Sequence, residues 1–99
     1  MKNEQVWELF PSPFFHRALK KHVGPDKKRL VCMFETLLQL ALDPWHPSLE
    51  THALRGGRKG FLSCSCGYDC RIIFRIVPEE LPDTAGIELI NVGTHDEVY

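Results

Sequence analysis

His95 stands just after Gly93-Thr94 near the end of the chain, and the other groups able to move protons or hold charge gather in the same half. An imidazole titrates near pH ~6.5, so His95 can give or take a proton around neutrality. Asp69 can accept a proton or orient a histidine, although Gly67-Tyr68-Asp69 also reads as a turn whose carboxylate caps backbone donors. His52 lies three positions before Arg55, and Tyr99 offers an aromatic face of the kind on which unpaired RNA bases stack. From position 55 to 75 run Arg55, Arg58, Lys59, Arg71 and Arg75, with Asp69 as the one acid. Such a run suits charge-assisted contacts to a phosphate backbone.

These residue types fit RNA cleavage without a metal. A base takes the 2′-hydroxyl proton, a cation steadies the charged phosphorane, and an acid protonates the leaving oxygen. His95 is the strongest single candidate for such a group, Asp69 can accept a proton or orient a histidine, and the five cations can hold phosphates, while His52 reads first as a solvent histidine. Cys64, Cys66 and Cys70 invite a metal-site reading, but Cys64 and Cys66 share one strand face and no second paired-cysteine knuckle follows. Free, buried and inert thiols are expected, with no metal and no cofactor.

The elements that must position these groups follow from patterning. Glu4 to Phe10 favours a strand and stops at Pro11. Ser12-Pro13 starts a helix predicted to run to Val23, with Phe15, Ala18, Leu19 and Val23 inward and Gly24-Pro25 as the stop. A second helix is predicted from Pro25 or Asp26 to about Asp43, its inward stripe being Leu30, Phe34, Leu37, Leu38 and Ala41. Residues 43–60 read as a long connection. Phe61 to Cys66, Asp69 to Val77 and Ile87 to Val92 read as strands, the middle one with Cys70, Ile72, Phe74 and Ile76 on one face and Asp69, Arg71 and Arg75 on the other. The order strand-helix-helix-strand-strand-strand predicts an α+β domain, with a helix pair packed on one face of a small, mostly antiparallel, twisted sheet and the other face open. Ser63 and Ser65 should join the charged groups there.

At 99 residues, with 43% hydrophobic and 25% charged residues, the chain should fold as a single domain, 1–99, rather than remain disordered. The first residues lack an apolar run long enough for a signal peptide and no stretch suits a membrane span, so a cytoplasmic protein is expected. The net charge of −1 hides an asymmetry. Residues 1–75 carry all 12 Lys and Arg against 7 acids, while residues 76–99 carry 6 acids and neither Lys nor Arg. A basic body suits a polyanionic ligand.

In order and spacing, His52-Ala53-Leu54-Arg55-Gly56, Lys59-Gly60-Phe61, Tyr68 to Ile76 and Gly93 to Tyr99 together resemble the RelE/ParE toxin superfamily, nearest in motif to its RelE/YafQ branch. The resemblance implies a toxin of a type II toxin-antitoxin system, an endoribonuclease that cuts mRNA in the ribosomal A site, with contacts to 16S rRNA. It also implies an antitoxin partner covering the active face. By position it assigns catalytic roles to His52, Asp69, His95 and Tyr99. Ser65 stands where the YafQ branch has a strand histidine, and Cys70 replaces an aromatic. Two other readings share the fold: a ParE-like inhibitor of DNA gyrase, and a toxin-fold binding module without catalysis.

Overall fold

The computed structural model describes residues 6–54, 60–67, 69–77 and 86–99. Ser12 caps the first helix, α1 (Pro13–Val23), its hydroxyl accepting the Phe15 N–H while Pro13 occupies the first turn. Gly24 then stops α1 at a φ of 52°, a conformation that costs a residue bearing a Cβ. Asp26 caps α2 (Lys27–Leu42) by accepting the Lys28 and Arg29 N–H groups.

The inward face of α2 differs from the expected one. Met33, Leu40 and Ala41 are buried and Leu37 packs against the core, whereas Leu30, Phe34 and Leu38 are 54%, 76% and 63% exposed. The helix carries two apolar stripes at helical spacing, 30-34-38-42 and 33-37-40, and periodicity cannot say which one the sheet takes.

Five strands form one sheet in the order β1-β5-β4-β3-β2: β1 (Glu8–Pro11), β2 (His52–Ala53), β3 (Leu62–Ser65), β4 (Arg71–Val77) and β5 (Gly86–Gly93). β1 runs parallel to β5 and the remaining pairs are antiparallel, giving the expected α+β layering. β1 reaches through Pro11, opposite Leu89, because an edge strand tolerates a residue without an N–H. The long connection contains a 3₁₀ turn at Pro47–Leu49 and the short β2, neither of them expected. A last turn of helix, α3 (His95–Val98), closes the chain.

Cys64, Ile72, Phe74, Ile87, Leu89 and Val92 point to the helix pair and pack with Phe15, Val23, Met33 and Leu40. Leu89 and Val92 are three apart, a spacing that strict alternation would put on opposite faces. Between Ile73 and Phe74 the partner on β5 steps from Asn91 to Leu89, so Ile90 is an extra residue, and this bulge returns Val92 to the core side. Among the described residues, no helix is long and apolar enough to cross a membrane.

Candidate active site on the open sheet face

Ser63 and Ile73 face each other across β3 and β4 and, by alternation, point away from the helix pair. Both are nevertheless buried, at 0% and 3% exposure. The open face is therefore covered in part, and the chain's own end covers it. Thr94 and Glu97 form a capping box: the Glu97 carboxylate accepts the Thr94 N–H and the Thr94 hydroxyl accepts the Glu97 N–H. This starts α3, buries Val98 against the sheet and carries Tyr99 to Ser63, where the two hydroxyls share a hydrogen bond.

The same turn sets His95 beside Tyr99. The rings meet edge to face, with centroids 4.5 Å apart and planes 79° apart. Asp69 reaches across from the β3–β4 turn, 26 positions away, and its Oδ1 accepts the His95 backbone N–H at 3.2 Å. Asp69 thus caps a backbone donor, and that donor is the main chain of His95. The carboxylate nearest the imidazole belongs to Asp96, with Oδ1 3.5 Å from His95 Nδ1. Asp96 and Glu97 thus each make a contact within this last turn.

His52 lies on β2 directly opposite Ser63, so both side chains belong to one face of the sheet. It is exposed, and its Nδ1 lies 3.0 Å from the Glu50 carbonyl oxygen. Asp69, His95, Tyr99 and Ser63 therefore form one connected chain of contacts, with His52 across the strand pair from its far end. Beside Tyr99 opens a cleft of about 340 Å³ whose lining includes Phe14, Phe61, Ile73, Asn91 and Asp96.

The expected phosphate holders divide. Arg71 donates one guanidinium N–H to the Cys70 carbonyl oxygen at 2.9 Å. Arg75 is committed to Glu88, with Nε 2.6 Å from the carboxylate, so part of its charge is already matched. Arg55, Arg58 and Lys59 lie outside the described residues. Ser63 was not among the expected catalytic groups. Its signal in the sequence was its place between Leu62 and Cys64, which marks an outward position on β3.

The cysteines depart from expectation. Cys66 and Cys70 are joined as a disulfide, not free, because the tight β3–β4 turn brings their Cα atoms to 4.9 Å and the Cys66 N–H donates to the Cys70 carbonyl oxygen. Cys32 and Cys64 are free thiols. Burial pushes the Cys64 thiol up to about 12, so it stays protonated and unreactive. Among the described residues, no three His, Cys, Asp or Glu are grouped to hold a metal ion.

Solved structures share this architecture throughout. A YoeB/ParE toxin from Agrobacterium tumefaciens superposes with a TM-score of 0.73 at 14% identity, over 89% of this chain and 98% of the other. The chain has the RelE/ParE toxin fold. The toxin-antitoxin complex RelBE2 from Mycobacterium tuberculosis gives a TM-score of 0.69 at 18% identity, over 91% and 99% of the two chains. YafQ from E. coli gives 0.62 at 20% identity, over 94% and 98%. No protein-family model and no curated protein sequence matches the chain. Within this toxin fold, the sheet face bearing His95, Tyr99 and Ser63 is the face left open by the helix pair.

Proposed function

We propose that this protein is the toxin of a type II toxin-antitoxin pair and an endoribonuclease that cuts mRNA in the ribosomal A site, in the cytoplasm. The observation that carries the reading is the chain of contacts from Asp69 through His95 and Tyr99 to Ser63 on the open face of a RelE/ParE toxin fold. Its acid-base groups need no resident cofactor for the chemistry described next.

In the proposed reaction the RNA 2′-oxygen attacks the adjacent phosphorus, the bond from phosphorus to the 5′-oxygen breaks, and a 2′,3′-cyclic phosphate remains. His95 protonates the departing 5′-oxygen, for which its exposed ring at a strand end is suited. His52, on the same sheet face, takes the 2′-hydroxyl proton, and Asp69 fixes the backbone from which His95 projects. Tyr99 stacks on the base beside the cut while its hydroxyl stays anchored to Ser63. Arg71, with Arg55, Arg58, Lys59 and the partly neutralised Arg75, offsets charge on the phosphorane. An antitoxin protein covers this face and holds the toxin inactive, as the RelBE2 complex is a toxin bound to its antitoxin.

The test is brief induction of the protein in bacterial cells, with RNA 5′ ends mapped across the transcriptome beside a DNA-damage reporter. New cuts within translated messages support the reading. Growth arrest with intact messages and an active damage reporter overturns it in favour of gyrase, and harmless expression overturns it in favour of a binding module.

A further inference from the structure

The β3–β4 turn holds two features that the proposed reaction does not use. It is closed by the Cys66–Cys70 disulfide, and it carries Gly67 and Asp69 at positive φ, 95° and 51°. A positive φ is uncommon for residues with a Cβ, and aspartate adopts it in turns more readily than most. The ring closed by the two sulfurs brackets this position, from which Asp69 accepts the His95 N–H. The bond between Cys66 and Cys70 is thus one contact removed from the candidate proton donor.

The disulfide stands at a cavity wall, with Cys66 and Cys70 each 3% exposed. Both sulfur-bearing residues line a cavity of about 350 Å³ between α2 and the turn, together with His22, Lys28, Arg29 and Cys32. Cys32 is a free, partly exposed thiol, and its Sγ lies 3.5 Å from the Cys66 carbonyl oxygen. Lys28 and Arg29 bring positive charge to this lining and Asp69 brings one carboxylate.

We propose that Cys66–Cys70 is a redox-active disulfide, opened by a dithiol reductant through this cavity, and that its state sets the position of His95. One thiolate of the reductant attacks Cys66 Sγ, the S–S bond breaks, and Cys70 leaves as a thiolate that takes up a proton. The second thiolate of the reductant attacks its own sulfur in the mixed disulfide and releases Cys66, which is protonated in turn. The protein gains two electrons and two protons, and the reductant becomes its cyclic disulfide. With the ring open, Asp69 relaxes from positive φ and its carboxylate leaves the His95 amide. The oxidised protein is the more active form, and reduction slows cleavage without abolishing it. The link to activity rests on the reading given under Proposed function.

The experiment compares the full chain as purified without reductant and after dithiothreitol. Alkylation with peptide mapping reports which sulfurs are free, and backbone amide exchange reports His95. Alkylation at Cys32 alone before reduction, and at Cys32, Cys66 and Cys70 after it, is expected. Exchange at the His95 amide should rise roughly five- to tenfold on reduction, the scale of one lost hydrogen bond. The Cys66→Ser/Cys70→Ser variant should match the reduced protein under both conditions, and Cys32→Ser should respond as the wild type does. RNA cleavage should fall with the same dependence. Unchanged His95 exchange once mapping shows the bond open overturns the proposal, as does free Cys66 and Cys70 in protein held with oxidised dithiothreitol. If His95 exchange responds and neither form cuts RNA, the switch stands and the ribonuclease reading fails.

Discussion

The Tyr99 hydroxyl bonds the fully buried Ser63 hydroxyl while the Tyr99 ring meets the His95 imidazole edge-on, so one side chain ties the last residue to the sheet and braces the candidate acid. The hydroxyl thus anchors the residue, and the proposed reading gives the ring the separate task of stacking on a base.

Removing that hydroxyl should therefore cost stability. Tyr99→Phe leaves the buried Ser63 oxygen without its partner, at about 1–3 kcal/mol. Ser63→Ala in the same chain removes the unpaired group, and the double variant should lose less than the two single losses combined. Urea unfolding of the four proteins checks this, and strictly additive losses would count against the pairing.

Gly93 should not tolerate a side chain. A Cβ there would stand 2.6 Å from Glu97 Oε1, 3.1 Å from Glu97 Cβ and 3.4 Å from Val98 Cγ1. Gly93→Ala should push α3 off the sheet at about 1–3 kcal/mol and raise amide exchange in residues 95–99. Unchanged exchange there would refute the close approach.

His22 gives stability a pH dependence. Burial first, and then the Arg29 guanidinium, holds its pKa below the usual 6.5, against weaker upward pulls from Glu97 and Asp69. The unfolded chain thus takes the proton before the folded one. The contribution of His22 to stability is fully present above pH 6.5 and is lost as pH falls from there toward the lowered folded value. His22→Gln should flatten that slope in urea midpoints measured across this range, and an unchanged slope would assign it to other groups.

Cys64 should resist modification. With its thiol pushed up to about 12 and no exposed surface, it should escape alkylation in the native protein at mildly alkaline pH and react once urea unfolds the chain. Equal rates in both states would contradict its burial.

What the sequence made legible follows the reach of each signal. α1 was readable to its last residue because Ser12, Pro13 and Gly24 act within a turn of themselves. α2 was readable in extent and not in orientation, since Leu30-Phe34-Leu38 and Met33-Leu37-Leu40 are equivalent until the sheet chooses. β2 is two residues long, too short for any period. α3 was not expected, although the Thr94-to-Glu97 spacing is that of a capping box, because a four-residue helix is too short to show a period. His95, Asp69, His52 and Tyr99 were legible as types, but their joining was not: the contact from Asp69 to His95 spans 26 positions and depends on the turn that the disulfide closes. Arg75 was readable as a cation on the open face, while its ion pair with Glu88 depends on β4 and β5 lying side by side.

Proton donation from His95 to the leaving oxygen can be probed with a modified RNA. Wild type and His95→Ala are compared on ribosome-bound messages carrying either the natural 5′-oxygen or a 5′-sulfur at the cut site. A sulfur leaves as a stable thiolate and needs no acid. His95→Ala should lose about 10²–10⁴-fold on the oxygen substrate, the usual scale of general acid catalysis, and should cut the sulfur substrate at nearly the wild-type rate. Equal losses on both substrates, or no loss on either, would contradict the assignment.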